Sequence, residues 1–187
     1  MQITERRTGL YLTDITTKDF GYKNLGGRLQ SNQGAGDKPS HYVDVKLRDP
    51  DVVRFFKKEQ VKVTERQDYD NPDEMVFYVK FKAYPKTRFN GITGRDEVVP
   101  RIVLRDPDSE VTTQLEIEAF GEFDRSVVDN VNIKFHIFKS EYHGVHYIPV
   151  IDELWADQVF GPENDDDDYL ASLYKSSSSS EEEVPFK

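Results

Sequence analysis

Apolar residues recur at every second position along much of this chain. In residues 77–84, Phe77, Val79, Phe81 and Ala83 alternate with Tyr78, Lys80, Lys82 and Tyr84. Successive side chains of a strand point to opposite faces, so the first set belongs to a core and the second to a surface. Residues 41–49 repeat the pattern, with Val43, Val45 and Leu47 against Tyr42, Asp44, Lys46 and Arg48. Residues 130–140 do so again, with Val131, Ile133, Phe135 and Ile137 inside and Lys134, His136 and Phe138 outside. Further strands are predicted over residues 9–16, 61–67, 101–106, 111–120 and 144–151, and residues 141–144 suit a hairpin connection. Helical signals are sparse. Asp49 can cap and Pro50 can open a short helix over residues 49–60, and residues 121–130 read as a turn or short helical piece. Residues 22–40, rich in Gly and polar residues, predict a mobile loop, and Pro85 with residues 87–100 predicts a flexible basic loop around Asn90-Gly91. An identical pentapeptide, Leu-Arg-Asp-Pro-Asp, occupies residues 47–51 and 104–108 and reads as a strand-ending turn used twice.

Several short strands at regular spacing make the expected class mainly β, with a five-stranded antiparallel OB-fold-like barrel over residues 41–160. Residues 1–40 precede it as an extension that contributes a strand or an arm. Residues 161–187 hold two acid runs and a serine run with too little apolar content for a core, so a disordered acidic tail is expected. Charge sharpens this division. The whole chain carries −10. From residue 152 onward eleven acids face two lysines, a net −9, which leaves residues 1–151 nearly neutral. Within that body, residues 77–105 hold seven basic and two acidic side chains, a local +5.

The chain has no Cys, which excludes disulfides and thiolate metal sites. No apolar run approaches the about 20 residues of a membrane-spanning helix, and the N-terminus lacks a signal-peptide core, so a cytoplasmic protein without membrane partners is expected. His143 and His146 lack a third ligand, and no phosphate-binding loop, nucleophile elbow or zinc-protease motif occurs. The expectation is therefore no enzyme, no cofactor and no metal. What stands out is residues 77–89, where five aromatic and four basic side chains share thirteen positions. Rings that stack on bases, with Lys and Arg tracking phosphates, are the chemistry of single-strand binding. The candidate DNA-binding residues are Tyr78, Lys80, Lys82, Tyr84, Lys86, Arg88 and Phe89, then Arg101, and on the next alternating strand Lys134, His136 and Phe138.

The end of the chain adds a second signal. Asp165 to Asp168, a serine-rich spacer and then Glu181, Glu182, Glu183, Val184, Pro185 and Phe186 resemble the C-terminal arm of bacterial and phage single-stranded DNA-binding proteins. Residues 111–154 resemble, in pattern, the second half of that family's OB-fold. One residue departs from the arm, since Lys187 follows a Phe that is terminal in the family. The resemblance implies single-stranded DNA as ligand, a role in replication, recombination or repair, and recruitment of replication or repair proteins through residues 181–186. It places the protein in a bacterial cytoplasm, the host's if phage-encoded, and admits a homo-oligomer. The alternative is a protein-interaction β-domain whose acidic tail keeps it soluble or mimics DNA.

Overall fold

The computed structural model describes residues 1–28, 38–68 and 71–160, the side chain of Phe160 excepted. In chain order the elements are β1 (Gln2–Arg6), β2 (Gly9–Ile15), β3 (Phe20–Asn24), β4 (His41–Leu47), α1 (Pro50–Lys58), β5 (Val63–Gln67), β6 (Met75–Ala83), β7 (Lys86–Asn90), β8 (Arg95–Val99), β9 (Arg101–Arg105), β10 (Thr112–Gln114), α2 (Phe120–Arg125), β11 (Val127–Ser140) and β12 (His146–Phe160). The protein is mainly β, as the alternation predicts. No helix among the described residues is long and apolar enough to cross a membrane.

The sheet differs from the five-stranded antiparallel barrel expected from the pattern. Ten strands share one sheet, along the path β1-β2-β11-β12-β6-β4-β3, and the described strands do not close it into a barrel. Pairing is antiparallel except where β12 meets β6 and β9. Strand length accounts for the mixed pairing. The strands β11 and β12 run for 14 and 15 residues, and three register shifts bend their ladder. A strand that long serves two neighbours on one side, with Val150 opposite Lys82 of β6 and residues 153–157 opposite β9.

At the centre, α1 closes the inner face. Asp49 accepts the Asp51 N–H at 2.8 Å and Pro50 opens the first turn, as the sequence predicts. That start sets Val52, Val53 and Phe56 on the buried side. The Phe56 ring meets Phe81 at 5.8 Å and Phe135 at 5.8 Å, and those two meet edge-on at 5.2 Å. The second copy of the pentapeptide behaves alike at its turn, where Asp106 accepts the Asp108 N–H at 2.9 Å, but leads into the β9–β10 connection. In both copies the Arg reaches an aspartate of another element. Arg48 donates to Asp19 at 2.7 Å, and Arg105 grips Asp157 through two bonds of 2.6 and 2.9 Å.

Three segments depart from the expected elements. Residues 20–24, of which 22–24 read as the start of a loop, form β3 on the edge of β4, so the first 24 residues supply three strands of the same sheet. What anchors them is tertiary. The Asp124 carboxylate accepts the Leu25 and Gly26 N–H groups, each at 2.8 Å, and Lys23 Nζ donates to the carbonyls of Phe123 and Ser126. Gly26 is required there, because a Cβ would lie 2.7 Å from the Gly121 Cα. Residues 115–120, expected to finish a strand, turn instead through a 3-10 segment into α2, a short helical piece such as residues 121–130 predict, which buries Phe120 and Phe123. The basic loop after β6 is an ordered two-stranded ribbon, β7 and β8, apart from the main sheet. Its turn is built by Asn90, whose side-chain oxygen accepts the Ile92 N–H at 2.9 Å while Gly94 takes a positive φ of 67°. Residues 29–37 of the expected mobile loop and the whole tail, 161–187, lie outside the described residues.

Replacing Phe56 with Ala empties the space between β6 and β11 and is expected to cost about 3–5 kcal/mol in urea denaturation. A loss below about 1 kcal/mol would mean that α1 does not close the core.

Candidate nucleic-acid interface

The outer face of β6 carries Tyr78, Lys80, Lys82 and, just past the strand, Tyr84. Register extends this face sideways. Lys82 lies opposite Tyr42 on β4 and opposite Val150 on β12, which in turn lies opposite His136 on β11. One step along, Lys80 lies opposite Asp44, itself opposite Tyr22 of β3. Phe138 lies opposite Ile148. The structure thus brings Lys80, Lys82, Tyr84, His136 and Phe138 onto one continuous surface.

Above it runs a cleft of about 620 Å³ between β5, β6 and the β11–β12 hairpin. Its polar walls include Lys62, Arg66, Lys80, Lys82 and His146, and Tyr142 and Tyr147 add rings. A second hollow of about 360 Å³ shares Lys82 and adds Tyr84 and Lys86, and a third of about 350 Å³ shares Arg66 and Tyr78 and adds Lys18 and Lys46. Together the three are lined by seven Lys or Arg residues and two acids, Asp44 and Asp68, so the path is strongly positive although the chain is acidic. Both acids are engaged by cations: Asp44 stands 3.7 Å from Arg66, and Asp68 pairs with Lys46. Burial pushes the Asp44 carboxyl above the ordinary carboxylate range, against the opposing pull of Lys80 and Arg66.

The other sequence-predicted residues divide by environment. Tyr78 is only 7% exposed and lies under the Arg66 guanidinium, 5.1 Å from its ring centroid, so it supports a cation where a base platform was expected. Lys80 Nζ sits 4.1 Å from the Tyr42 ring centroid. Tyr84 and Phe138 are exposed, as stacking needs. On the ribbon, pairing puts Lys86, Arg88 and Arg95 on one face and Phe89 on the other, so its ring and its cations point apart. Arg101 and Lys134 are drawn to a shared carboxylate, Glu153, at 3.4 and 3.7 Å. His136 holds Asp152 at 2.9 Å. Trp155 is partly exposed beneath Arg101 at 5.1 Å. The partner-binding residues Glu181 to Phe186 lie outside the described residues.

Sequence reasoning missed Lys62, Arg66, Tyr22, Tyr142 and His146. A signal existed for two of them. Alternation over residues 61–67 sets Lys62, Thr64 and Arg66 on one side, and Thr64 lies opposite Tyr78. Tyr142 was hidden in a segment that looked like a mere connection, and His146, on the strand predicted over residues 144–151, was weighed only as a metal ligand. Among the described residues no cluster of three or more His, Asp or Glu is placed to hold a metal.

No protein-family model matches the chain, and no curated protein matches its sequence. Solved structures do show a likeness. A single-stranded DNA-binding protein from bacteriophage Enc34, in complex with single-stranded DNA, is 11% identical over 84% of this chain and 91% of that one, with a TM-score of 0.47. A C-terminal truncation of the same phage protein gives 10% identity over 82% and 88%, with a TM-score of 0.46. The gp2.5 single-stranded DNA-binding protein encoded by bacteriophage T7 gives 12% over 84% and 94%, with a TM-score of 0.36. Identities and overlaps of this size leave the chemistry of the site to be argued from its own residues.

Because folding raises the Asp44 pKa, its charge costs stability at neutral pH, and this cost disappears as pH falls through the folded value. The Asp44→Asn protein is therefore expected to be the more stable at pH 7 in urea denaturation, with the gap closing on acidification. A parent that is more stable at pH 7 would show that the cations outweigh burial.

Proposed function

We propose that this protein is a non-enzymatic, sequence-independent single-stranded DNA-binding protein serving phage or bacterial replication, recombination or repair in the cytoplasm, with an acidic tail that recruits partner proteins. The observation that carries the reading is the positive path through the three hollows around β6, seven cations to two acids, with the exposed rings of Tyr84 and Tyr142 on it. Phosphates meet Lys62, Arg66, Lys80, Lys82 and Lys86. Bases stack on Tyr84, Tyr142 and Phe138, each contact contributing about 1–3 kcal/mol. Every nucleotide has a phosphate and a π-face, so such a surface accepts any sequence, and stacking on its rings needs bases already free of a duplex. Residues 161–187 carry a net −6 of the chain's −10. That charge competes with DNA for the basic path, and Val184, Pro185 and Phe186 among the acids give a partner an apolar anchor.

Fluorescence anisotropy with labelled oligo-dT and a matching duplex tests the reading. Binding of the single strand well above the duplex, weakening steeply with salt, is expected, and no binding by the full chain or by a chain ending at residue 160 would overturn it. The Lys80→Ala/Lys82→Ala protein should lose two phosphate contacts and reduce the log-log salt slope by about 1.4. Ending the chain at residue 160 should tighten binding, most clearly at low salt, and unchanged affinity would remove the tail from the groove.

A protein-binding β-domain is the second reading. Its support is the ribbon, where Phe89 is 66% and Ile92 96% exposed. Ligand capture lost in Phe89→Ser/Ile92→Ser, but insensitive to salt, would favour it.

A further inference from the structure

The positive path leaves the first hairpin unexplained. In β1 and β2, Arg6 lies opposite Gly9, and Thr4 opposite Tyr11. Tyr11 in turn lies opposite Lys134 of β11. Lys134 and His136 are two apart on one strand and share its outer face, and His136 belongs to the row that runs through Val150 to Lys82. Tyr11 therefore looks out from the same side of the sheet as the groove lysines. From β6 to β1 the path crosses β12, β11 and β2, four steps of about 4.8 Å, or roughly 19 Å.

The hairpin is organised around that ring. The Tyr11 hydroxyl is bound to Thr8 Oγ1 at 2.7 Å, and the Arg6 guanidinium lies 5.0 Å from the ring centroid. Gly9 opens β2 with a φ of 139°, a backbone conformation that L side chains rarely adopt, beside the Lys134 stem. Charge distinguishes this end of the face. Lys134 and Arg101 are drawn to Glu153 and His136 to Asp152, whereas Arg6 and Arg7 form no ion pair among the described residues. A planar guanidinium stacked on a ring is itself a surface on which a base can stack, and an adjacent exposed arginine can take a phosphate.

We propose that the β1–β2 hairpin is a second subsite for the same single strand, with the Arg6–Tyr11 stack receiving a base and Arg7 a phosphate after the strand has crossed β12 and β11. This rests on the function proposed above and extends it. A strand long enough to reach from the groove to the hairpin engages both, and a short one engages the groove alone.

The test is anisotropy on the full chain with oligo-dT of about 5 and about 15 nucleotides. In the Arg6→Ala/Arg7→Ala protein, affinity for the longer oligomer should fall by about tenfold while the shorter binds as to the parent. Arg6→Lys, which keeps the charge but not the planar stack, should fall between the two proteins. Equal loss for both lengths would place the arginines in the main groove or show a disturbed fold, and no loss for either would remove the hairpin from the path. Both outcomes overturn the proposal. Loss in Lys80→Ala/Lys82→Ala alongside an unchanged arginine variant would overturn this inference alone, and a parent that binds neither oligomer would overturn the parent reading with it.

Discussion

Phe56, Phe81 and Phe135 reach the centre of the molecule from α1, β6 and β11, and their mutual contact decides which way each of those strands faces. A strand has only two faces. Placing Phe81 inward places Lys80 and Lys82 outward, and placing Phe135 inward does the same for Lys134 and His136. Sliding either strand by one residue would bury cations and expose rings. The apolar cluster therefore determines the electrostatic surface, although none of its three rings is part of that surface.

That surface is held in balance by a few acids, which act in opposite senses. Asp44 is an acid whose burial outweighs its cation neighbours, and it gives back stability when protonated. Asp157 is the reverse. The two-point grip of Arg105 holds its carboxyl below the ordinary range, so its contribution is present above the unfolded value and is lost as pH falls through the folded one. Glu153 and Asp152 restrain cations farther along the same face, which leaves Lys62, Lys80 and Lys82 as the more available charges.

Much of this was legible in the residues. Period two placed the inner and outer sets of β4, β6 and β11, and the Asp-Pro signal placed α1. The failures share a physical origin in tertiary contact. Nothing local in residues 20–26 announces a strand, because what holds β3 and the turn after it is Asp124 and Lys23 reaching across to and from α2. Phe120 and Phe123 lie at helical spacing, but two such residues are too few to override a neighbouring run of alternation. Tyr78 reads as an outward position and is one. Arg66 covers it, and a strand's own pattern does not say what a neighbouring strand will lay over it. The register between strands, unavailable from alternation, is what separates Lys82 from Lys134 by environment.

The pentapeptide Leu-Arg-Asp-Pro-Asp bears on how such a chain is punctuated. At residues 47–51 and 104–108 the same five letters make the same local bonds, an aspartate receiving the N–H two residues on and an arginine tied to a distant aspartate. What comes next is a nine-residue helix in one place and a three-residue strand in the other. The motif acts as a full stop. It ends one element, fastens that ending to the body of the protein, and leaves the choice of the following element to the residues that follow: Val-Val-Arg-Phe-Phe, which can bury one face of a helix, or Ser-Glu-Val-Thr-Thr, which cannot.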